Sequence, residues 1–234
     1  MLKNPFRYFN TSPEIIRLAM MMYVWFPLSL RNVEDLLHER GTDVSHESIR
    51  HRSNRFGPML AAEIWRKRSQ SMRQVTQWRW HLDEVFVKIN GKQHYLWRAV
   101  DDEGEVLESY VTKRRDRKAA LRSLRKAMKR YGEPKVIVTD RLASYRAAMK
   151  VLGNADKHET GRHLNNRAEN SHLPFRRRER AMLRFRQMRS LQKFASVHSS
   201  VHNHFNYQRN IERRPRFKDL CNAALSEWRQ LIAA

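Results

Sequence analysis

The sequence predicts a mixed α/β fold preceded by a small helical unit, and three observations carry that prediction. Apolar residues recur at helical spacing through roughly the first sixty positions, the spacing drops to two from Trp78 onward, and Asn90-Gly91 sits between two alternating segments. Helices, then strands joined by tight turns, then a helix and one more strand describe a sheet with both antiparallel and parallel neighbours.

The first helix starts at Ser12-Pro13-Glu14, an N-cap followed by proline at the first helical position, and runs through Ile15, Leu18, Ala19 and Met22 until Pro27 stops it. Ser29 opens a second, with Leu30, Val33, Leu36 and Leu37 at helical spacing and Gly41 behind Arg40 where a left-handed cap is expected. Ser45 caps a third, through Ile49 to Phe56, which Gly57-Pro58 is expected to end. Helix, glycine-containing turn, helix is the helix-turn-helix plan, in which the last helix enters the major groove; a plain three-helix bundle has the same outline. Ser45, His46, Arg50, His51, Arg52 and Arg55 leave the third helix little apolar surface and are the candidate DNA contacts.

Trp80 to Ile89 reads as a strand, Asn90-Gly91 as a hairpin turn, and Gln93 to Val100 as the returning partner. The turn Asp101-Asp102-Glu103-Gly104 leads to a third strand, Val106 to Thr112, and Asp116 to Tyr131 is helix-like. Gly132-Glu133-Pro134 breaks that helix, and Lys135 to Thr139 is a short buried strand ending at Asp140. The expected partition is a helix-turn-helix domain over 1–60, a basic helical connector over 61–77, a sheet domain over 78–208 and a helical tail over 209–234.

Lys and Arg number 47 against 24 Asp and Glu, a formal net charge of +23. Such an excess repels itself unless a polyanion neutralises it, and release of condensed counterions from phosphates is the usual driving force, so nucleic acid is the leading partner. A hydrophobic fraction of 41% argues against a disordered basic tail. The apolar run from Leu18 to Leu28 contains Pro27 and is too short to span a bilayer, so no membrane is expected. Met1-Leu2-Lys3-Asn4-Pro5 lacks a secretion signal and Cys221 is the only cysteine, which together point to a reducing cytoplasm with association to the nucleoid. Phosphate-binding glycine loops, a Gly-x-Ser-x-Gly elbow and a cysteine nucleophile context are all missing from the sequence.

Strand alternation sets Asp83 on one face with Val85, Val87 and Ile89, and Leu82, Glu84, Phe86 and Lys88 on the other. An inward carboxylate is costly unless paired or bound to a cation, so Asp83 asks for a partner in a way that Glu84 does not. Asp140 follows a buried strand at its carboxyl end, where open α/β sheets bind ligands, and a crossover would bring it to Asp83. Glu169, in a helix-like Asn165-Asn166-Arg167-Ala168-Glu169-Asn170, is placed to approach from the side. Carboxylates suit hard cations such as Mg²⁺ or Mn²⁺, and two such ions about 3.5 to 4 Å apart serve an in-line displacement at phosphorus. Taken singly, each acid also fits a plain structural role: an ion pair, a turn former, a solvated helix residue.

Trp80-His81-Leu82-Asp83-Glu84, Val138-Thr139-Asp140-Arg141 and Asn165-Asn166-Arg167-Ala168-Glu169-Asn170-Ser171-His172, with Arg176 seven residues beyond the glutamate, resemble the DDE transposases of bacterial insertion sequences, family six. The resemblance covers nearly the whole chain, from the N-terminal helices to about Gln208. It implies an RNase H-like catalytic domain with a mixed five-stranded sheet, Mg²⁺ dependence, recognition of terminal inverted repeats, and strand transfer by a 3′-hydroxyl through cointegrates. It also implies Asp83, Asp140 and Glu169 as metal ligands, Arg176 as the basic residue near substrate phosphate, and at least a dimer in the synaptic complex. Two departures stand out. The interval from Asp140 to Glu169 is short and leaves little room for the strand and helix expected there, and Arg52 and Ser53 replace a tryptophan that packs the third helix.

The run Arg176, Arg177, Arg178, Arg180 is a solvated face in most proteins; beside Glu169 it is a candidate track for the DNA backbone. His198, His202 and His204 have ligand-like spacing without a second cluster to complete a zinc site. Trp65, Trp78, Trp80 and Trp97 are read as core. Besides a metal-dependent transposase, two other readings fit the sequence: a repressor or decayed transposase that only binds DNA, and a nuclease of the same fold that cuts without joining.

Overall fold

A computed structural model describes residues 5–72, 79–161, 163–182, 185–207 and 212–232. The chain forms two compact units, one made of Met1–Arg66, Arg178–Leu183 and Ser200–Ala234, the other of Lys67–Arg177 and Arg184–Ser199.

The first unit is helical. Helix α1 (Pro13–Trp25) is capped by Ser12 with proline in its first turn, and α2 (Leu30–His38) carries a full capping box between Ser29 and Asn32. Gly41 sits at φ +71°, the left-handed conformation that ends α2. Ala19, Val33, Leu37, Val44 and Ile49 form the core between these helices and α3. The expected stop at Gly57-Pro58 does not occur: α3 is one helix, His46–Met72, with Pro58 inside it. Proline removes one backbone bond, but Phe56, Leu60, Ala61 and Ile64 continue a buried stripe straight across it, and that burial outweighs the lost bond. The expected connector therefore continues α3 as far as Met72, and 73–77 lies outside the described residues.

Where the family tryptophan is missing, Arg52 Nη2 donates to Thr11 Oγ1 at 2.7 Å and Phe56 stacks with Phe6 and Phe9 at 4.7 and 5.0 Å. The C-terminal segment packs as helix α8 (Arg214–Gln230): Trp228 Nε1 donates to the Arg17 carbonyl at 3.1 Å and Arg17 Nε to the Leu231 carbonyl at 2.7 Å.

The second unit is a five-stranded sheet in the order β3-β2-β1-β4-β5. Strands β1 (Arg79–Ile89), β2 (Lys92–Asp101) and β3 (Val106–Thr112) pair antiparallel, and β4 (Val136–Thr139) and β5 (His158–Thr160) extend the sheet parallel to β1. Asn90 and Gly91 both have positive φ, 49° and 76°, as a two-residue hairpin turn of this kind requires. The short Asp140 to Glu169 interval does hold both a helix, α5 (Ala143–Leu152), and the three-residue β5. Trp78 lies outside the described residues, while Trp80 and Trp97 are buried core as expected.

One sheet face is covered by α4 (Arg117–Tyr131) and α5 through Trp80, Leu82, Trp97, Leu124, Ile137 and Tyr145. On the other face Ala168 of α6 (Asn166–Ala181) packs with Val100 and Val106. Gln192 of α7 (Met188–Phe205) accepts from Val111 N at 2.8 Å and donates to the Ser109 carbonyl at 2.8 Å, closing backbone groups of the edge strand β3 that would otherwise invite another strand.

The β2–β3 turn carries a testable charge. Asp101 Oδ1 accepts from Glu103 N and Glu105 N at 3.0 and 2.8 Å, and burial, followed by the charge of Glu103, pushes the carboxyl up to about 7. A folded value above the unfolded one means that its contribution is fully present below the ordinary aspartate range and is lost as pH rises through about 7. Asp101→Asn keeps the acceptor and removes the charge. Its melting temperature relative to wild type is expected to rise steadily between about pH 5 and about pH 8. Thermal melts across that range check this, and a constant difference sinks it.

Candidate active site

The site arises where two strands part. β1 pairs with β2 along its length but with β4 only as far as Leu82 opposite Thr139, so β1 runs on while the chain leaves β4 at Asp140. Cross-strand register puts Asp83, Arg98 and Ser109 in one row on the α6 face, and Glu84, Trp97 and Tyr110 in the next row on the α4–α5 face. At the opening beside Asp140 the two rows meet. One carboxylate oxygen from each of Asp83, Glu84 and Asp140 lies within 4.8 Å of the others.

Each acid is held. Asp83 Oδ1 accepts from Glu84 N at 2.9 Å and its Oδ2 meets His172 Nε2 at 3.0 Å; Asp140 Oδ1 accepts from Leu142 N at 3.1 Å. Arg115 pairs with Glu84 and reaches Asp140 Oδ2 at 3.6 Å. Burial raises the Glu84 carboxyl to about 7, opposed by Arg115 and assisted by the charges of Asp140 and Asp83. Burial likewise raises Asp140, with the Asp83 charge adding to it against Leu142 N–H and Arg115. The buried Tyr145 phenol is held well up by burial and then by the same three carboxylates. Oxygen donors gathered against their own repulsion fit a hard divalent cation, which relieves that repulsion by binding.

Glu84 is the member that strand alternation missed. Its side chain is only 1% exposed, because β1 is central and helices cover both of its faces. Apolar residues at both parities along the strand, Trp80 and Leu82 on one face and Val85 and Val87 on the other, are the signal that both faces are covered.

Helix α6 docks on the other side of Asp83. Asn165 Nδ2 donates to the Leu82 carbonyl at 2.9 Å just before the helix begins. Burial lowers the His172 ring, opposed by the Asp83 bond and assisted by the charges of Arg98 and Arg176; because a carboxylate oxygen only accepts, Nε2 is the donor to Asp83. Arg98, fully buried across the register from Asp83, is brought down to about 10 by burial. Glu169 is exposed in the first turn of α6 and is not one of the three clustered acids. Its spacing puts it in phase with Asn165, His172 and Arg176, at four, three and seven residues, so all four share one helix stripe.

Arg177 and Arg180 are exposed and Arg176 is half-buried. Arg178, expected to face DNA, does not: it is buried over the Tyr23 ring at 4.8 Å and donates to the Leu28 carbonyl at 3.0 Å, because its side of the helix turns into the core of the helical unit.

In that unit, Ser45 receives Ser48 N at 3.3 Å, His46 pairs with Glu34 at 2.7 Å, and Arg50 Nε pairs with Glu47 at 2.9 Å. His51 is exposed and Arg55 lies over Phe9 at 5.4 Å. Glu47, Ser48, Arg50, His51, Arg52 and Asn54 line a surface hollow of about 530 Å³ with Phe9. The three histidines form no metal cluster among the described residues; His198 packs on Phe175, His202 on Trp25, and His204 meets the Ala224 carbonyl at 2.8 Å.

A sheet of this order with acids at the parting of its first and fourth strands defines an RNase H-like polynucleotidyl-transferase core. The DDE domain of the IS240 transposase type matches residues 77–208. The transposase of insertion sequence-like element IS431mec from Staphylococcus aureus is 33% identical over 174 residues, covering 72% of this chain and 75% of that protein. The transposase of IS257 in transposon Tn4003, also from Staphylococcus aureus, is 32% identical over the same length, with the same coverage of each chain. Among solved structures, the HTLV-2 integrase catalytic core in complex with magnesium aligns with TM-score 0.35 and 19% identity over 41% of this chain and 65% of that one. The chain belongs to the DDE transposase family of insertion sequences. It is an enzyme of DNA transposition, and no helix among the described residues is long and apolar enough to cross a membrane.

Asn165→Ala removes the donor to a buried carbonyl, so it is expected to cost about 1–3 kcal/mol of stability. Urea unfolding measures this, and an unchanged midpoint would rule the bond out as a fixture of the site.

Proposed function

We propose that the chain binds the terminal inverted repeats of an insertion sequence as a dimer or higher oligomer and carries out divalent-metal-dependent strand cleavage and transfer, forming cointegrates. Asp83, Asp140 and Glu169 are the residues that would hold Mg²⁺ or Mn²⁺, two ions in all. The observation that carries this reading is the convergence of Asp83 and Asp140 oxygens within 4.8 Å, beside a helix that bears Glu169 in phase with the histidine contacting Asp83. When bound, the ions supply activation of the attacking oxygen and stabilisation of the leaving one.

The chain's own residues do the rest. His172 fixes the orientation of Asp83, Leu142 N–H fixes that of Asp140, and Arg176, seven residues beyond Glu169 on the same stripe, contacts substrate phosphate. In the joining step a 3′-hydroxyl oxygen bonds to a target phosphorus as the target's own 3′ oxygen departs. Ser45 ahead of α3 and His46, Arg50, His51, Arg52 and Arg55 on it contact DNA, and Arg177 and Arg180 follow the backbone.

The test uses labelled duplexes covering the terminal repeats that bracket the coding sequence, with a target duplex and Mg²⁺. Joined products are expected from wild type and none after chelation. Asp83→Asn, Asp140→Asn and Glu169→Gln are each expected to abolish joining with end binding intact; normal joining by any one removes that residue from the site. Bound but uncut ends would mark a DNA-binding protein only, and hydrolysed ends without joining a nuclease. End affinity is expected to fall steeply with salt, by a slope of about 0.9 per phosphate contacted on logarithmic axes. A flat salt response counts against the phosphate contacts.

A further inference from the structure

Arg115 belongs to none of the roles assigned so far, and its surroundings single it out. It stands in the six-residue run Lys113-Arg114-Arg115-Asp116-Arg117-Lys118, which leads from the end of β3 into the first turn of α4 and in which every residue except Asp116 is basic. The loop is fixed from inside: Trp97 Nε1 donates to Thr112 Oγ1 at 2.8 Å, and that hydroxyl donates to the Arg114 carbonyl at 2.7 Å. Ser144 Oγ donates to the Arg115 carbonyl at 3.4 Å and Asp116 caps α4 through Ala119 N at 2.9 Å.

The guanidinium leaves this fixed backbone and lies over the Phe86 ring at 5.6 Å. Its two ion-pair contacts, to Glu84 and to Asp140, both use Nη2. A guanidinium carries five N–H donors in a rigid fork, so Nε and Nη1 keep three for another acceptor. The side chain is 32% exposed, whereas its Glu84 partner is 1% exposed. A cation is therefore anchored on a buried carboxylate while about a third of its side chain remains exposed and three of its donors have no ion-pair partner.

We propose that Arg115 contacts a backbone phosphate next to the scissile bond, and that Glu84 is its positioning residue, not a metal ligand. This rests on the transposase reading above. Glu84 suits an anchor because an unpaired buried carboxylate is costly and Arg115 is the cation that compensates it. Arg suits the contact because a planar fork matches phosphate oxygens, which a lysine does not reproduce.

The experiment walks a single neutral methylphosphonate through the phosphates flanking the cleavage point of an end duplex, with the full-length protein. Two readouts are taken: binding in chelator and joining in Mn²⁺. In wild type one position is expected to weaken binding and joining by roughly 10- to 100-fold, the worth of one charged hydrogen bond. In Arg115→Ala that penalty is expected to vanish at that position alone, with Mn²⁺ affinity, read by calorimetry, unchanged. Arg115→Lys, which keeps Glu84 compensated, is expected to fold as wild type and to retain part of the penalty. Glu84→Gln is expected to shrink the penalty without lowering Mn²⁺ affinity.

An equal penalty at every position in wild type, Arg115→Ala and Arg115→Lys overturns the phosphate contact. A loss of Mn²⁺ affinity in Glu84→Gln as large as that in Asp83→Asn overturns the anchor role and makes Glu84 a ligand. If wild type itself neither joins ends nor binds Mn²⁺, the failure belongs to the transposase reading.

Discussion

Like charges held together where two strands diverge are the constraint on which the second unit depends. Asp83, Glu84 and Asp140 bring three carboxylate oxygens within 4.8 Å, two of them from adjacent residues on opposite faces of one strand. Such a cluster exists only if something opposes its repulsion, and the fold supplies it from three directions. Arg115 enters from the β3–α4 loop, His172 donates from α6, and Leu142 N–H reaches back from the start of α5. Each of these comes from a different part of the chain, so the geometry of the acids depends on the whole sheet unit being folded. The repulsion left uncompensated among these oxygens is what a divalent cation would relieve, since the protein has done the gathering beforehand.

Helix α6 gives that gathering its direction. Asn165 and His172 tie it to consecutive residues of β1, Leu82 and Asp83, which fixes both its position along the strand and its rotation. Once rotation is fixed, helical periodicity decides the rest: Glu169 and Arg176 share the stripe of the two tied residues, while Ala168 packs against Val100 and Val106. Two residues beyond Arg176, Arg178 lies on another side of the helix and is buried over the Tyr23 ring. A run of arginines in sequence is thus sorted into different roles by its angular position on one helix.

How much of this could be read in advance follows from how local each signal is. The hairpin of β1 and β2 was legible because Asn90-Gly91 demands positive φ at both residues, and the caps of α1 and α2 because Ser12 and Ser29 bond within one turn. Asp83 and Asp140 were legible as an acid on a strand and an acid at a strand's end. Glu84 was not, since alternation is informative only when one face meets water, and β1 has helices on both. The strand β5 escaped because His158-Glu159-Thr160 has no apolar residue to mark it, and its pairing comes from β4 alone. Pro58 misled for the opposite reason: a strong local signal was overridden by a buried stripe running across it.

The two kinds of positive charge in this protein also separate on physical grounds. A net charge of +23 is a property of the whole surface and draws any polyanion, with a strength that salt controls. Arg115 and Arg98 are different, because each is placed by the fold against a particular carboxylate or in its register. Diffuse charge brings DNA near without regard to which bond will react. Charge fixed beside Asp83 and Asp140 acts at one place, because there an anchored donor and an acid cluster share one opening of the sheet. The parting of β1 and β4 is therefore where placed charge is concentrated, whereas the rest of the basic surface acts on any polyanion alike.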